Sequence, residues 1–210
     1  MPGFILTSSV TVIRRKKRSA KGVASLFILV VLAMAAAFGW RWWSQRNDTE
    51  SERYNSLIEQ TASRHNMDPS LIKAVICQES NFNANARGKA GEYGLMQITE
   101  GAAKDWERGT GKSFGSPGSL FRPKLNVEIG TWYLAQGYLK WKEHDEVLAL
   151  SLAQYNAGPS RAQEWADAAG EKKIVDTIPF SSTKQYIKHV KQHYETFSRE
   201  RRFHHETEEP

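Results

Sequence analysis

The 210-residue sequence predicts a mainly α body, residues 54–198, preceded by a single N-terminal transmembrane helix, residues 22–43. Three observations predict it. Nineteen consecutive residues between Lys21 and Arg41 carry no charge. In the body, apolar residues recur at the i, i+3, i+4, i+7 spacing of a helical face, and the period-2 alternation of a half-buried strand is nearly absent. With 40% hydrophobic and 25% charged residues the chain is not fully disordered, and one globular domain with appendages is the natural division.

Residues 1–21 form a basic arm. Arg14, Arg15, Lys16, Lys17, Arg18 and Lys21 precede Gly22 with no Asp or Glu among them. The remaining 23 basic residues match the 23 acidic ones, so the formal charge of +6 belongs to the arm and the body is neutral. Nothing in that balance calls for a nucleic-acid-binding face, and no nucleic acid is expected among the partners.

As a helix, GVASLFILVVLAMAAAFGW would extend ~28 Å at 1.5 Å per residue, close to a bilayer core of roughly 30 Å. The basic cluster before it, and Trp40, Trp42 and Trp43 at its far end, orient the N-terminus inside and the body outside. A buried core helix is disfavoured by the length and flanks. A cleaved signal peptide, with Ala33-Met34-Ala35 as the processing site, is the alternative to the favoured retained anchor. No cysteine stands just after the segment to take a lipid. The one cysteine, Cys77, allows no intramolecular disulfide, no CxxC pair and no thiolate zinc cage. Residues 44–53 are the linker, in which the polar stretch Ser44–Glu52 reads as a tether. Residues 199–210, mostly charged or His, read as a flexible, frayed tail.

In the body, Tyr54, Leu57, Ile58, Thr61 and Ala62 mark one helical face ending before Asn66. Asp68-Pro69 opens a second helix, the Asp accepting backbone N–H bonds and the Pro placed where its missing donor costs nothing. Its buried stripe is Leu71, Ile72, Val75 and Ile76. Thr99 caps a short third helix through Trp106, and a Gly- and Ser-rich loop follows from Gly109 to Ser119. Asn126 precedes a longer periodic run with Ile129, Trp132, Tyr133, Ala135, Gln136 and Leu139. The apolar stretch Glu146 to Tyr155 is a helix that stops at Asn156-Ala157-Gly158-Pro159. Ser182-Thr183-Lys184-Gln185 is a capping box opening a last helix through Tyr186, Ile187, Val190 and Tyr194.

The chemical question is Glu79. It follows Ile72, Val75 and Ile76 by seven, four and three residues, which puts a carboxylate on the apolar face at a helix end. Desolvation there raises a carboxyl's pKa, which suits a group that must donate a proton near neutral pH. The competing reading turns the side chain into solvent at the helix terminus.

Four blocks surround this residue. Glu79-Ser80-Asn81-Phe82-Asn83-Ala84-Asn85-Ala86 is followed by Gly91-Glu92-Tyr93-Gly94-Leu95-Met96-Gln97-Ile98-Thr99. Then come Gln154-Tyr155-Asn156-Ala157-Gly158-Pro159, and Ile178-Pro179-Phe180 with Thr183-Lys184-Gln185-Tyr186-Ile187-Lys188-His189-Val190. In this order, over roughly Leu57 to Val190, they resemble the soluble-lytic-transglycosylase domain, a branch of the lysozyme-like superfamily that cuts bacterial peptidoglycan. The resemblance implies a lysozyme-like helical fold and a non-hydrolytic glycan lyase with peptidoglycan strands as substrate. Taken with the anchor and its charge pattern, it places the expected body on the periplasmic side of the inner membrane, with a cell-envelope assembly as a candidate partner and no cofactor or metal expected. Glycosidases ordinarily use two carboxyls, whereas the resemblance implies one. Glu79 protonates the oxygen between N-acetylmuramic acid and N-acetylglucosamine, the sugar's acetamide steadies the developing cation, and the same carboxylate then takes the C6 hydroxyl proton as a 1,6-anhydro ring closes.

Other residues carry over one by one. Ser80 bonds the loop or the substrate, or simply ends the helix. Gln97 resembles the family's substrate-facing glutamine, able to donate and accept. Met96 lines the cleft or fills the core. Tyr155 is expected near the acid and Asn156 near the acetamide, while Asn and Gly also serve a helix end through left-handed conformations. Tyr186 is expected to touch the catalytic carboxyl, its alternative being a core tyrosine with a solvated tip. Two positions depart from the pattern: Gly88 stands where the family often has serine, and Glu92 where it often has alanine. Glu92 is expected to face solvent, the alternative being an approach to Glu79 that raises that carboxyl's pKa by like-charge repulsion. A hydrolase of lysozyme type and a catalytically silent wall-binding scaffold are the rival functions.

Several signals are set aside. Gly111-Lys112-Ser113 lacks the earlier glycine of a phosphate loop, since Trp106 stands there. His189 and His193, four apart, have no partnering carboxylate motif. Trp132, Tyr133, Tyr138, Trp141 and Trp165 are expected mainly in the core. Cys77 is expected to be small apolar filler.

Overall fold

A computed structural model describes residues 20–170 and 172–208, the side chains of 20–27, 42–49 and 204–208 excepted. The chain divides into two units, residues 1–45 and 46–210. The basic arm expected over 1–21 lies almost wholly outside the described residues.

Helix α1, Ala20–Arg53, supplies the described part of the first unit. Residues 28–41 are all exposed. This stretch is shorter than the ~20 residues a spanning helix needs, and the expected anchor, 22–43, runs at both ends into residues whose side chains are not described. Among the described residues no helix is long and apolar enough to cross a membrane. The polar stretch Ser44–Glu52 belongs to this same helix, because it contains neither Gly nor Pro to end one.

The second unit is helical throughout its described elements. α2 is Asn55–His65 and ends on Asn66 in the left-handed region. α3 is Pro69–Ser80, with Asp68 accepting the Ser70 N–H as its N-cap. α4, Glu100–Thr110, is capped by Thr99 as expected but runs four residues beyond Trp106, until Gly111 takes the left-handed C-cap position. The Gly- and Ser-rich loop is correspondingly shorter and carries a 3-10 turn, Pro117–Phe121. α5, Pro123–Trp141, begins at the proline, so Asn126 lies inside it rather than before it. α6 is Val147–Ala157, α7 Pro159–Ala169, and α8 the short Ile174–Thr177. α9, Ser181–Glu208, starts one residue before the expected capping box. It also absorbs the expected frayed tail: Arg201 reaches Glu59 at 3.5 Å and Asp68 at 3.6 Å, and Tyr194 donates to Asp68 at 2.7 Å.

The core follows from the apolar pattern. Leu71, Ile72, Val75 and Ile76 are all at most 2% exposed, each such side chain contributing roughly 1.5–3 kcal/mol by leaving water. They press α3 along α9, where Ile187 and Val190 are buried. α6 is buried on nearly every side, with Ala149, Leu150, Leu152 and Ala153 fully enclosed, and forms the central post between α5, α7 and α9. Trp141 and Trp165 are core residues, as expected, and Trp141 donates its indole hydrogen to Gln154 at 3.0 Å.

Candidate active site

The end of α3 presents Glu79 half-buried, one turn beyond the sealed stripe of Val75 and Ile76. Asn81 and Phe82 then take left-handed backbone angles, φ 49° and 62°. A bulky residue does this only under compulsion. The compulsion is packing: Phe82 is 2% exposed and stands edge-on to Phe197 of α9 at 6.3 Å. The chain therefore turns sharply just after the acid.

Tyr186, from the first turns of α9, donates its hydroxyl to Glu79 Oε1 at 2.7 Å. Loss of water raises the Glu79 pKa to about 7; the Tyr186 hydrogen bond opposes that rise and the charge of Glu92 adds to it. The carboxyl thus changes protonation at the working pH of most cells. Tyr155 and Tyr186 are held neutral, their hydroxyls pushed well above the ordinary value by burial and by the nearby Glu79 charge.

The segment 87–98 closes over this acid as two small antiparallel bridges, Arg87 to Tyr93 and Tyr93 to Ile98. Gly94, at φ 73°, is needed where it stands, because a Cβ would meet Asn126 Nδ2 at 2.6 Å and the Leu120 carbonyl at 2.8 Å. Met96 is fully buried, packed against Gly130 and 4.0 Å from Thr131, so its side chain fills the core and does not line the cleft. Its backbone serves the site instead: the N–H donates to Asn126 at 2.7 Å, and the carbonyl accepts from Tyr155 at 2.8 Å. Ser80 ties α3 to the same segment, donating to the Leu95 carbonyl at 2.8 Å. Its hydroxyl also lies 3.3 Å from the Ile76 carbonyl one turn back, so the loop contact and the helix-end role hold together.

Gln97 sits at φ 48° and spends both amide hydrogens on backbone, Nε2 donating to Gly94 O at 2.9 Å and Ala86 O at 3.3 Å. What it offers outward is an acceptor, not the two-way amide expected. Asn156 has the opposite polarity. Its Oδ1 accepts from Thr183 at 2.9 Å, leaving the exposed Nδ2 to donate. Asn156 is itself helical, and the unusual backbone falls on Gly158 alone, φ 90° and ψ 160°. Thr183, in the first turn of α9, uses its hydroxyl in this hydrogen bond.

Glu92 keeps part of its surface in solvent but folds back onto its own loop. It is half-buried, its Oε2 accepts the Ala90 N–H at 3.0 Å, and its carboxylate lies over Gly88. Asn126 is a residue of this site that sequence reasoning missed. Fully buried in α5, it clamps the segment by accepting from Met96 N and donating to the Tyr93 and Leu120 carbonyls at 2.7 Å each. The signal was present: Arg122-Pro123 marks a helix start, and a start there makes Asn126 a polar residue at an interior position.

Cys77, its thiol pushed up to about 11 by burial, lies 3.8 Å from His193 Nδ1. Among the described residues no group of three or more His, Cys, Asp or Glu is placed to hold a metal ion.

Glu79, Gln97, Tyr155, Asn156 and Tyr186 thus converge from four separate stretches of chain. The family model for the transglycosylase SLT domain matches residues 56–178. The soluble lytic murein transglycosylase of Escherichia coli K12 is 32% identical over 164 residues, 76% of this chain and 25% of that protein. The membrane-bound lytic murein transglycosylase C of Salmonella paratyphi B is 40% identical over 91 residues, 42% of this chain and 25% of that protein. Among solved structures, the 70 kDa soluble lytic transglycosylase of E. coli aligns with TM-score 0.63 and 34% identity over 70% of this chain and 24% of that one. An inactive mutant of the lytic transglycosylase Slt of Pseudomonas aeruginosa aligns with TM-score 0.63 and 29% identity, over 70% of this chain and 24% of that one. The chain spans about a quarter of the length of these curated relatives. Motif order, site geometry and the matched span together place it in one group: this chain belongs to the transglycosylase SLT domain family.

Proposed function

We propose that the body is a peptidoglycan lytic transglycosylase that cleaves the bond between N-acetylmuramic acid and N-acetylglucosamine and leaves a 1,6-anhydro end. The observation that carries this is the half-buried Glu79 carboxyl, poised at about 7 and bonded to Tyr186 at 2.7 Å. A group that must first give a proton and later take one works best when its pKa lies near the ambient pH. Protonated, Glu79 donates to the leaving glycosidic oxygen. Once ionised, it keeps the Tyr186 hydrogen bond, which favours the charged form, and accepts the C6 hydroxyl proton as the ring closes. Asn156, donating, and Gln97, accepting, offer the complementary polarity that an acetamide's carbonyl and N–H require.

The body works on the periplasmic side of the bacterial inner membrane, held by the apolar segment 22–43 as a single-pass anchor. The support for this is the charge pattern: a basic arm before the segment and Trp40, Trp42 and Trp43 after it. A tether confines cleavage to wall within short reach of the membrane, which suits local remodelling or opening a passage for a larger envelope assembly.

Purified full-length protein incubated with sacculi is expected to release anhydro-ended muropeptides, read by mass spectrometry. Glu79→Gln is expected to lower the release at least a hundredfold. Undiminished release by that variant would refute the assignment. For the anchor, a mature chain beginning near Ala36 and recovered in the soluble fraction would do the same.

A further inference from the structure

In this chain the two departures from the family pattern meet in space. Glu92 Oε2 stands 2.0 Å, and its Cδ 2.7 Å, from where a Cβ on residue 88 would lie. The carboxylate therefore takes the place that a side chain at position 88 would fill. The small loop beneath is closed by the Gly88 N–H donating to the Glu92 carbonyl at 3.0 Å, and the carboxylate is pinned by the Ala90 N–H at 3.0 Å.

Gln97 Oε1 borders the same point, 2.8 Å from that Cβ position. Its amide hydrogens are committed to Gly94 and Ala86. The two side chains thus present oxygen to oxygen, one of them charged, and neither can donate to the other. What such a pair shares is a small molecule bringing two hydrogens. Water meets that demand, and a water so held turns its lone pairs outward while one of its hydrogens rests on a carboxylate able to take it. Gly88, Glu92 and Gln97 are all half-buried, so part of each remains accessible to water. The Glu92 charge is also close enough to be felt at Glu79.

We propose that Glu92 and Gln97 hold a nucleophilic water, so that this chain ends part of its cleavages by hydrolysis, releasing free reducing N-acetylmuramic acid beside the anhydro ends. The inference rests on Glu79 being the acid of the proposed function. Glu79 gives its proton to the leaving oxygen, and the bond between that oxygen and the sugar C1 breaks with its electron pair going to oxygen. The water oxygen, in place of the C6 hydroxyl, forms the new bond to C1 and loses one proton to the Glu92 carboxylate. That proton returns through solvent to Glu79, and one water is consumed per bond. The site then has the acid and the base that glycoside hydrolysis ordinarily uses.

The test counts chain ends. Sacculi are reduced with borohydride to cap existing reducing ends, digested with the full-length protein, and analysed by mass spectrometry. Wild type is expected to give two product series one water apart. Glu92→Gln keeps the shape but takes no proton, and is expected to lower the ratio of hydrolysed to anhydro ends about tenfold or more. Gly88→Ser combined with Glu92→Ala, which restores the family pattern, is expected to do the same. A purely structural role for Glu92 would slow both series together and leave their ratio alone. Anhydro ends only from wild type, or a ratio unmoved in both variants, would overturn the inference and leave Glu79 in its role. Absence of any Glu79-dependent product would overturn the proposed function itself.

Discussion

Replacing Glu79 by glutamine isolates the cost of keeping an acid half-buried. In the unfolded chain this carboxyl titrates near its ordinary 4.5, and in the folded chain near 7. Between those values the folded state holds a proton that the unfolded state has lost. Proton binding therefore favours folding in full below the lower value, and this contribution drains away as pH rises through the upper one. A rise of roughly 2.5 units, at 1.36 kcal/mol each, amounts to about 3 kcal/mol. The carboxyl lies at a cleft rather than sealed in the core, so about 2–3 kcal/mol is the expected loss. Glutamine does not ionise and can still accept the Tyr186 hydrogen bond. Urea unfolding of both proteins, at about pH 4 and about pH 8.5, should show wild type losing about 2–3 kcal/mol more than Glu79→Gln over that interval. Equal pH dependence in the two proteins would mean that Glu79 titrates as an exposed carboxyl, and the physical basis for its acid role would fall with it.

Two further outcomes follow from the same geometry. Tyr186→Phe removes a hydrogen bond that favours the ionised carboxyl, worth roughly 1.5–3 kcal/mol for a charged acceptor, so the alkaline descent of the pH–rate profile should move up by about 1–2 pH units; a profile that stays in place, or moves down, contradicts the assignment. Asn126→Leu leaves the Met96 N–H and the Tyr93 and Leu120 carbonyls buried without partners. Urea unfolding should show a loss of about 3 kcal/mol or more, and a change under 1 kcal/mol would mean that the segment around Gln97 is held by something else.

Much of the helical framework was legible because local chemistry repeats along it. Asp68-Pro69 and Thr99 are caps whose hydrogen bonds reach only two or three residues ahead. The α3 stripe needs no distant partner to be recognised as buried. Readings failed where a long-range contact outbid a local preference. Residues 199–203 looked like a polar tail, yet Arg201 and Tyr194 find Asp68 and Glu59 across the fold and the helix continues. Met96, left open between cleft and core by its sequence, lies in the core, where Gly130, 34 positions on, leaves space for its thioether.

By itself the sequence determined that one acid ends an apolar helix, since this follows from residue type and from spacing within a turn or two, and its motif blocks marked the candidate neighbours of that acid. The tertiary structure alone decided the electrical state of that acid and the polarity of its neighbours. Whether Glu79 titrates near 4.5 or near 7 depends on how much water α9 and the segment 87–98 exclude from it. Whether Gln97 accepts and Asn156 donates depends on which of their atoms the backbone and Thr183 have already used. Desolvation and hydrogen-bond competition act through space between residues remote along the chain, and no local pattern encodes them.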